Sequence, residues 1–258
     1  MPFKDYFLRA RDELKSKTFW KGLRCELLGT LFYVLFGCSA SLLRTESKDD
    51  IVYLLFLNSV SFGFAETVVV SSLGHSSGGH FNPAITIGMF ITRYITLLKA
   101  FCFLVAQSLG GIAGIAMLYG VAPPSVRHKV GLNFISGDIN EGQAFGFEFL
   151  GTLLVTYAFY ATLENKNDIL VPNPYICGLA VCLAGIFVLF WIAPVLGGVL
   201  GAFTFEYTKD SSKHLDGFRS SLRQRVYTLQ RKEDIVSCNS VATDVNAEQE
   251  LTTEEVQM

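Results

Sequence analysis

A chain of 258 residues that is 50% hydrophobic, with a mean hydropathy of +0.38, leaves too little polar surface for an ordinary soluble domain. Its net charge of −2 supplies no basic field, so no nucleic-acid partner is expected. No nucleophile–base pair, phosphate-cradling loop or metal-ligand cluster points to an enzyme, a metal site or a cofactor.

The apolar residues form long blocks at Gly22–Leu43, Ile51–Leu73, Ala100–Val121, Gly142–Leu163 and Cys177–Phe205. Each is long enough for a membrane-spanning helix, which needs about 20 residues. The first 24 residues are charged and carry no signal-peptide pattern, so the first block is expected to direct insertion. Of the six cysteines, Cys25, Cys38, Cys102, Cys177 and Cys182 lie in apolar blocks and Cys238 lies in the tail. None makes a CxxC pair, and they read as reduced packing residues.

The chain repeats itself. "CELLGTLFYV" at 25–34 resembles "FEFLGTLLVT" at 147–156, which aligns Glu26 with Glu148 at an offset of 122. "SLGGIAG" at 108–114 resembles "VLGGVLG" at 195–201, which aligns Gly110 with Gly197 at an offset of 87. Two halves with three apolar segments each would insert in opposite orientations, as repeated transporters and channels do. The mismatch between the offsets means that the second half is shorter by about 35 residues.

Within the first half, "SSLGHSSGGHFNPAITIGMFIT" at 71–92 places loop chemistry between two apolar runs. The piece Ile85–Thr92 would rise only about 12 Å as helix, under half the hydrocarbon thickness, so the chain dips in and returns. Irregular backbone at that depth is tolerated only beside water or protein. Asn82 before Pro83 reads as the N-cap of a half-helix, with its positive end facing the membrane centre. Glu26 and Glu148, acids inside membrane blocks, are expected to be buried and partnered. Glu26 should bond the loop Ser71–Phe81, and Glu148, whose own loop is missing, should be the less satisfied of the two.

"SGGHFNPA", with "ELLGTL" upstream, "QSLGG" downstream and "EFLGTL" opening the second half, resembles the aquaporin family over residues 19–206. The resemblance implies an all-α integral membrane fold: an inverted repeat of three spans plus a re-entrant half-helix, here with the second repeat shortened. It assigns 1–21 to a basic cytoplasmic N-terminus and 22–121 to the first repeat. Residues 142–206 become the shortened second repeat, and 207–258 a tail of cytoplasmic type. It places Asn82, Pro83, Ala84, His80 and Phe62 on the solute path, with Phe62 as the aromatic wall of the filter; for His80 and His75 the residues themselves favour bonding to the loop backbone over direct solute contact. Glu26, Glu148 and His75 are expected to organise the loops. Glu66, one turn beyond Phe62, is either a pore carboxylate or a structural acid.

The sequence departs from the family pattern in its second half. No second NPA follows, and no filter Arg. "VPNPY" at 171–175 comes too soon after Glu148, so Asn173 reads as ordinary loop, and Gly185 stands where water channels carry a filter His. Block Cys177–Phe205, about 43 Å if helical, makes one generous span and hence five crossings. Charge favours six, because five spread Lys and Arg almost evenly over the two sides. Length is the stronger constraint, so five crossings are expected.

The tail is basic over 208–232 and acidic beyond. Phe218, Leu222, Val226 and Leu229 recur at helical spacing, which suits a membrane surface or a calmodulin-like partner, or else a solvated tail. Val256-Gln257-Met258 could dock on a partner's sheet edge. Two functions follow from the resemblance. One is a plasma-membrane channel passing water or other small neutral solutes passively. The other is a non-conducting truncated isoform that co-assembles, as a homo- or hetero-tetramer, with full-length aquaporin subunits and regulates them. The lipid bilayer and water are the partners common to both.

Overall fold

The structure, a computed structural model, describes residues 11–43, 51–127, 130, 140–166, 169–184 and 192–208. A helical turn at 11–15 leads into α1 (Lys17–Gly37), which ends in a 3-10 segment, Cys38–Leu43. There follow α2 (Ile51–Ser77), α3 (Pro83–Ile91), α4 (Leu97–Val121), α5 (Glu141–Ala161), a hairpin of β1 (Glu164–Lys166) and β2 (Ile169–Val171), α6 (Pro174–Ala184) and α7 (Ile192–Thr208). Helices α1, α2, α4 and α5 are long and apolar enough to cross a membrane. The tail residues Phe218, Leu222, Val226, Leu229 and Val256–Met258, together with Gly185, lie outside the described residues.

The caps follow from side-chain chemistry. Asn140 and Gln143 form a reciprocal capping box at α5, with both bonds 2.9 Å long. Thr96 accepts the Lys99 N–H at the start of α4 and donates its own hydroxyl to Glu13 at 2.6 Å. Asn173, read from sequence as loop, caps α6: its Oδ1 accepts from Tyr175 N at 3.0 Å and Ile176 N at 3.3 Å. Asn173 is exposed at the outer end of its helix.

Helix α2 corrects the expected loop. Ser71–Ser77 continues as helix, so the irregular backbone shrinks to 78–82. In hydrocarbon every unpaired backbone group is costly, and a helix pairs its own groups. That term outweighs the preference of Ser and Gly for turns.

The repeat is visible in packing. A Cβ at Gly110 would collide with the Leu27 carbonyl, and one at Gly114 would lie 2.6 Å from that of Leu31. A Cβ at Gly197 would collide with the Phe149 carbonyl, and one at Gly201 would lie 2.7 Å from that of Leu153. The carbonyls are separated by the first sequence offset and the glycines by the second, so α5 and α7 repeat the seam between α1 and α4. Missing side chains let each pair of backbones touch, which drives association where lipid is as apolar as protein.

The expected single span at Cys177–Phe205 is corrected as well, because two helices, α6 and α7, replace it. Gly178 meets Thr67 while Cys182 meets Gly63, so α6 runs antiparallel to α2. Gly151 of α5 meets Ala184 of α6, and Thr162 after the end of α5 accepts from Asn173 N at the start of α6 at 3.1 Å, so these two are also antiparallel. Phe149 and Leu153 meet Gly197 and Gly201 in the same order, so α5 and α7 run parallel. Six alternating directions survive. The eleven residues of α6 rise about 16 Å, and residues 185–191, which join it to α7, lie outside the described residues. The length argument treated Cys177–Phe205 as one helix, whereas its two described parts run in opposite directions.

Candidate solute path

The loop at 78–82 is held by one carboxylate. Glu26, 0% exposed, accepts from His80 N at 3.1 Å, Phe81 N at 2.8 Å and the Gln107 side-chain amide at 2.8 Å. These bonds hold backbone that would otherwise relax. Gly78 and Gly79 have φ of 106° and 68°, and Phe81, a bulky residue, has φ of 43°. The Phe81 ring lies so close to Gly29 that any β-carbon there would enter it. The sequence "ELLG" therefore supplies an acceptor for the loop and, three residues later, a space for its ring.

The loop aims α3. Asn82 is extended (φ −142°, ψ 126°), its Oδ1 accepts from Ala84 N at 2.8 Å, and Pro83 takes the first helical position. Asn82, Pro83 and Ala84 line a cavity of about 960 Å³. Phe62 and Tyr33 form part of its wall, their rings 5.3 Å apart. Thr30, Gln107 and Glu148 bring polar groups, while Val34, Ile112 and Val155 are among its apolar walls.

Glu148 reaches this cavity without partners. It is 2% exposed, and neither carboxylate oxygen has a hydrogen bond. Thr30 Oγ1 and Gln107 Oε1 are likewise unbonded. Among the described residues no loop approaches Glu148 as 78–82 approaches Glu26.

Other expected site residues lie elsewhere. His80 is not on the cavity wall. Its ring packs against Phe103 and Phe159, at 5.4 and 5.8 Å, and Nδ1 lies 3.1 Å from Thr86 Oγ1. It braces the loop from behind, because Phe81, one residue on, occupies the space beside α1. His75 does not organise the loop either: it sits on the last turn of α2 and is exposed, since the helix runs on past it. Glu66 is buried, within electrostatic range of Tyr33 and Cys177, and is not among the cavity's lining residues. Its turn of α2 faces α6.

Sequence reasoning overlooked Gln107, Thr86 and Tyr33. Gln107 also donates to Thr86 Oγ1 at 2.8 Å and so ties α4 to the half-helix. A lone Gln inside an apolar block was the available signal, because such a group must find partners. Tyr33 had the analogous signal of a phenol seven residues after Glu26.

At its outer end α3 is tied to the second half. Thr92 meets the Tyr160 hydroxyl at 2.9 Å, and the Tyr94 phenol donates to Glu206 at 2.8 Å. Burial, with the Glu206 carboxylate beside it, pushes the Tyr94 pKa up. Gly198 of α7 lies against Ala84, so the half-helix rests directly on the last helix. Described Cys25, Cys38, Cys102, Cys177 and Cys182 are free thiols.

A family model described as "Major intrinsic protein" matches residues 13–189. The protein named "Lens fiber major intrinsic protein" from Canis lupus familiaris is 32% identical over 223 residues, which covers 76% of this chain and 83% of that protein. Its counterpart from Homo sapiens is 31% identical over the same shares. In three dimensions the chain is similar to the aquaglyceroporin from Plasmodium falciparum, with a TM-score of 0.62 at 17% identity, covering 74% of this chain and 96% of that one. At that identity the likeness concerns the fold.

Proposed function

Because this chain belongs to the major intrinsic protein family of membrane channels, we propose that it is a channel-family subunit with half of a selective water path, acting chiefly by assembly with complete subunits. As a family member it is a multi-pass membrane protein and not an enzyme. The proposal places it in the plasma membrane, in homo- or hetero-tetramers. The observation that carries it is the pair of unbonded Glu148 oxygens beside a cavity of about 960 Å³. A selective single file needs continuous hydrogen-bonding walls and an electrostatic barrier to cations. Here Asn82 and the N-terminus of α3 supply one side of such a wall, and the sequence holds no second NPA to supply the other.

One observation favours the second reading, passive water flow through the chain itself. Asn82, Thr30, Tyr33 and Phe62 all border the same cavity. Osmotic swelling of liposomes carrying the purified chain separates the two. The proposal expects little swelling above empty liposomes, and increased or altered swelling when a full-length family member is co-reconstituted. Swelling as fast as a full-length channel at equal protein density, without ion leak, overturns it.

A further inference from the structure

The repeat pairs an occupied seat with an open one. Half-helix α3 rests on α7 through small residues. A β-carbon at Gly198 would lie 3.0 Å from Ala84, and one at Gly88 would lie 3.3 Å from the Ala202 methyl. Gly198 and Ala202 are both buried. At the offset of 87 residues, Gly111 and Ile115 of α4 take the places of Gly198 and Ala202. Neighbouring contacts obey the same offset, since Gly110 and Gly114 meet α1 as Gly197 and Gly201 meet α5. Yet among the described residues a β-carbon at Gly111 would meet only Val34 Cγ2, at 3.9 Å, and Ile112 beside it is exposed. Gly111, Ile112, Ile115 and Ala116 instead form one wall of the cavity of about 960 Å³, which Val155 and Val181 also line.

We infer that this wall of α4 is a docking seat for a short apolar helix of a partner chain, one that carries two small residues four positions apart as α3 carries Ala84 and Gly88. Nine residues of helix, the length of α3, are about 13 Å long and about 10 Å across and displace on the order of 1,000 Å³. The cavity is of that size. In hydrocarbon, apolar side chains give one helix no preference for another over lipid, and close backbone approach through small residues drives association. Ile115 adds a constraint. It is bulkier than Ala202, so the second small residue of the occupant must be glycine. A lipid acyl chain filling the same space would select for neither residue. The inference goes beyond the assembly reading and depends on neither a tetramer nor conduction.

The test uses the full chain in phosphatidylcholine nanodiscs, with a fluorescent peptide of residues 81–92 of this chain as probe, read by anisotropy. Saturable binding above that to empty nanodiscs is expected, and unlabelled peptide should displace the probe. The same peptide with Gly88→Leu should compete at least about tenfold more weakly, because the added side chain holds the two backbones apart. Gly111→Leu in the full chain should abolish binding by filling the seat. That position admits a β-carbon without collision, so the variant is expected to fold. Glu141→Gln, at an exposed residue on the first turn of α5, should bind as the parent does. Partitioning no greater than into empty nanodiscs would mean that lipid covers the seat, and overturns the inference. Equal competition by the Gly88→Leu peptide, or unchanged binding to folded Gly111→Leu, overturns it as well. The peptide comparison leaves the chain unaltered, so it decides the matter even where Gly111→Leu does not fold. The swelling assay can fail without affecting any of these outcomes.

Discussion

Glu148 stands where Glu26 stands in the other half of the fold, yet Glu26 accepts three hydrogen bonds and Glu148 accepts none. The two glutamates sit at matching places on α1 and α5, three residues before Gly29 and Gly151. What differs is the neighbour. Gly29 makes room for the Phe81 ring of a loop, whereas Gly151 meets Ala184 of helix α6.

Opposite responses to the same substitution follow. Glu26→Leu leaves three buried donors without an acceptor, at about 1–3 kcal/mol each, against a total stability of about 5–15 kcal/mol. Little folded protein is expected. Glu148→Leu removes two unsatisfied oxygens and should leave thermal stability unchanged, or raise it by about 1–3 kcal/mol. Melting of the purified variants in detergent checks both. Equal loss in the two would mean that Glu148 has partners.

The glycine seams should be equally intolerant. Gly110→Val and Gly197→Val each drive a side chain into a facing carbonyl, of Leu27 and of Phe149. Overpacking of this kind costs about 1–3 kcal/mol or more, since backbone cannot yield as a side chain can. Gly111→Ala, one residue from the first seam, should be nearly neutral. Expression and melting of the three variants test this. A harmless Gly197→Val would separate α7 from α5.

Loop strain gives a third prediction. Phe81 is held at φ 43° by its N–H bond to Glu26 and by the gap above Gly29. Gly29→Ala fills the gap and pushes the ring, and with it the Asn82 cap, out of place. The expected cost is about 1–3 kcal/mol in stability. Thermal melting reads it, and an unchanged melting point would mean that the ring has another place to go.

Much of the fold was legible because the repeated "E-x-x-G" and "LGG-x-x-G" patterns mark contacts in which backbone meets backbone. The half-helix was legible from Asn82-Pro83, where cap and proline act locally. The extent of α2 was not, because Ser71–Ser77 reads as loop unless the absence of water is weighed against propensity. Nor was the split of Cys177–Phe205. That stretch is continuously apolar; the repeat and the charge balance point to two segments against its length, and packing against α2 and α5 shows two helices of opposite direction. The two readings left open for Glu66, and the one for His80, have the same origin: position along the chain says that a group is deep, and neighbouring helices decide which way it faces.

The last prediction concerns which side of the membrane the tail occupies. Five crossings would put it opposite the N-terminus, and six alternating directions put both ends on one side. Antiparallel contacts of α6 with α2 and α5, and parallel contact of α7 with α5, give six directions. Tyr94 bonds Glu206, which brings the end of α7 beside the segment that leads out of the re-entrant half-helix. Charge agrees with this arrangement: of 21 Lys and Arg, only Arg44, Lys48, Arg127 and Lys129 then lie on the other side. An epitope tag at each end should therefore be reached by antibody only after cells are permeabilised, and a tag inserted after Lys48 should be reached without it. Labelling of the C-terminal tag on intact cells would mean that α6 and α7 together make a single crossing, and would restore the length argument.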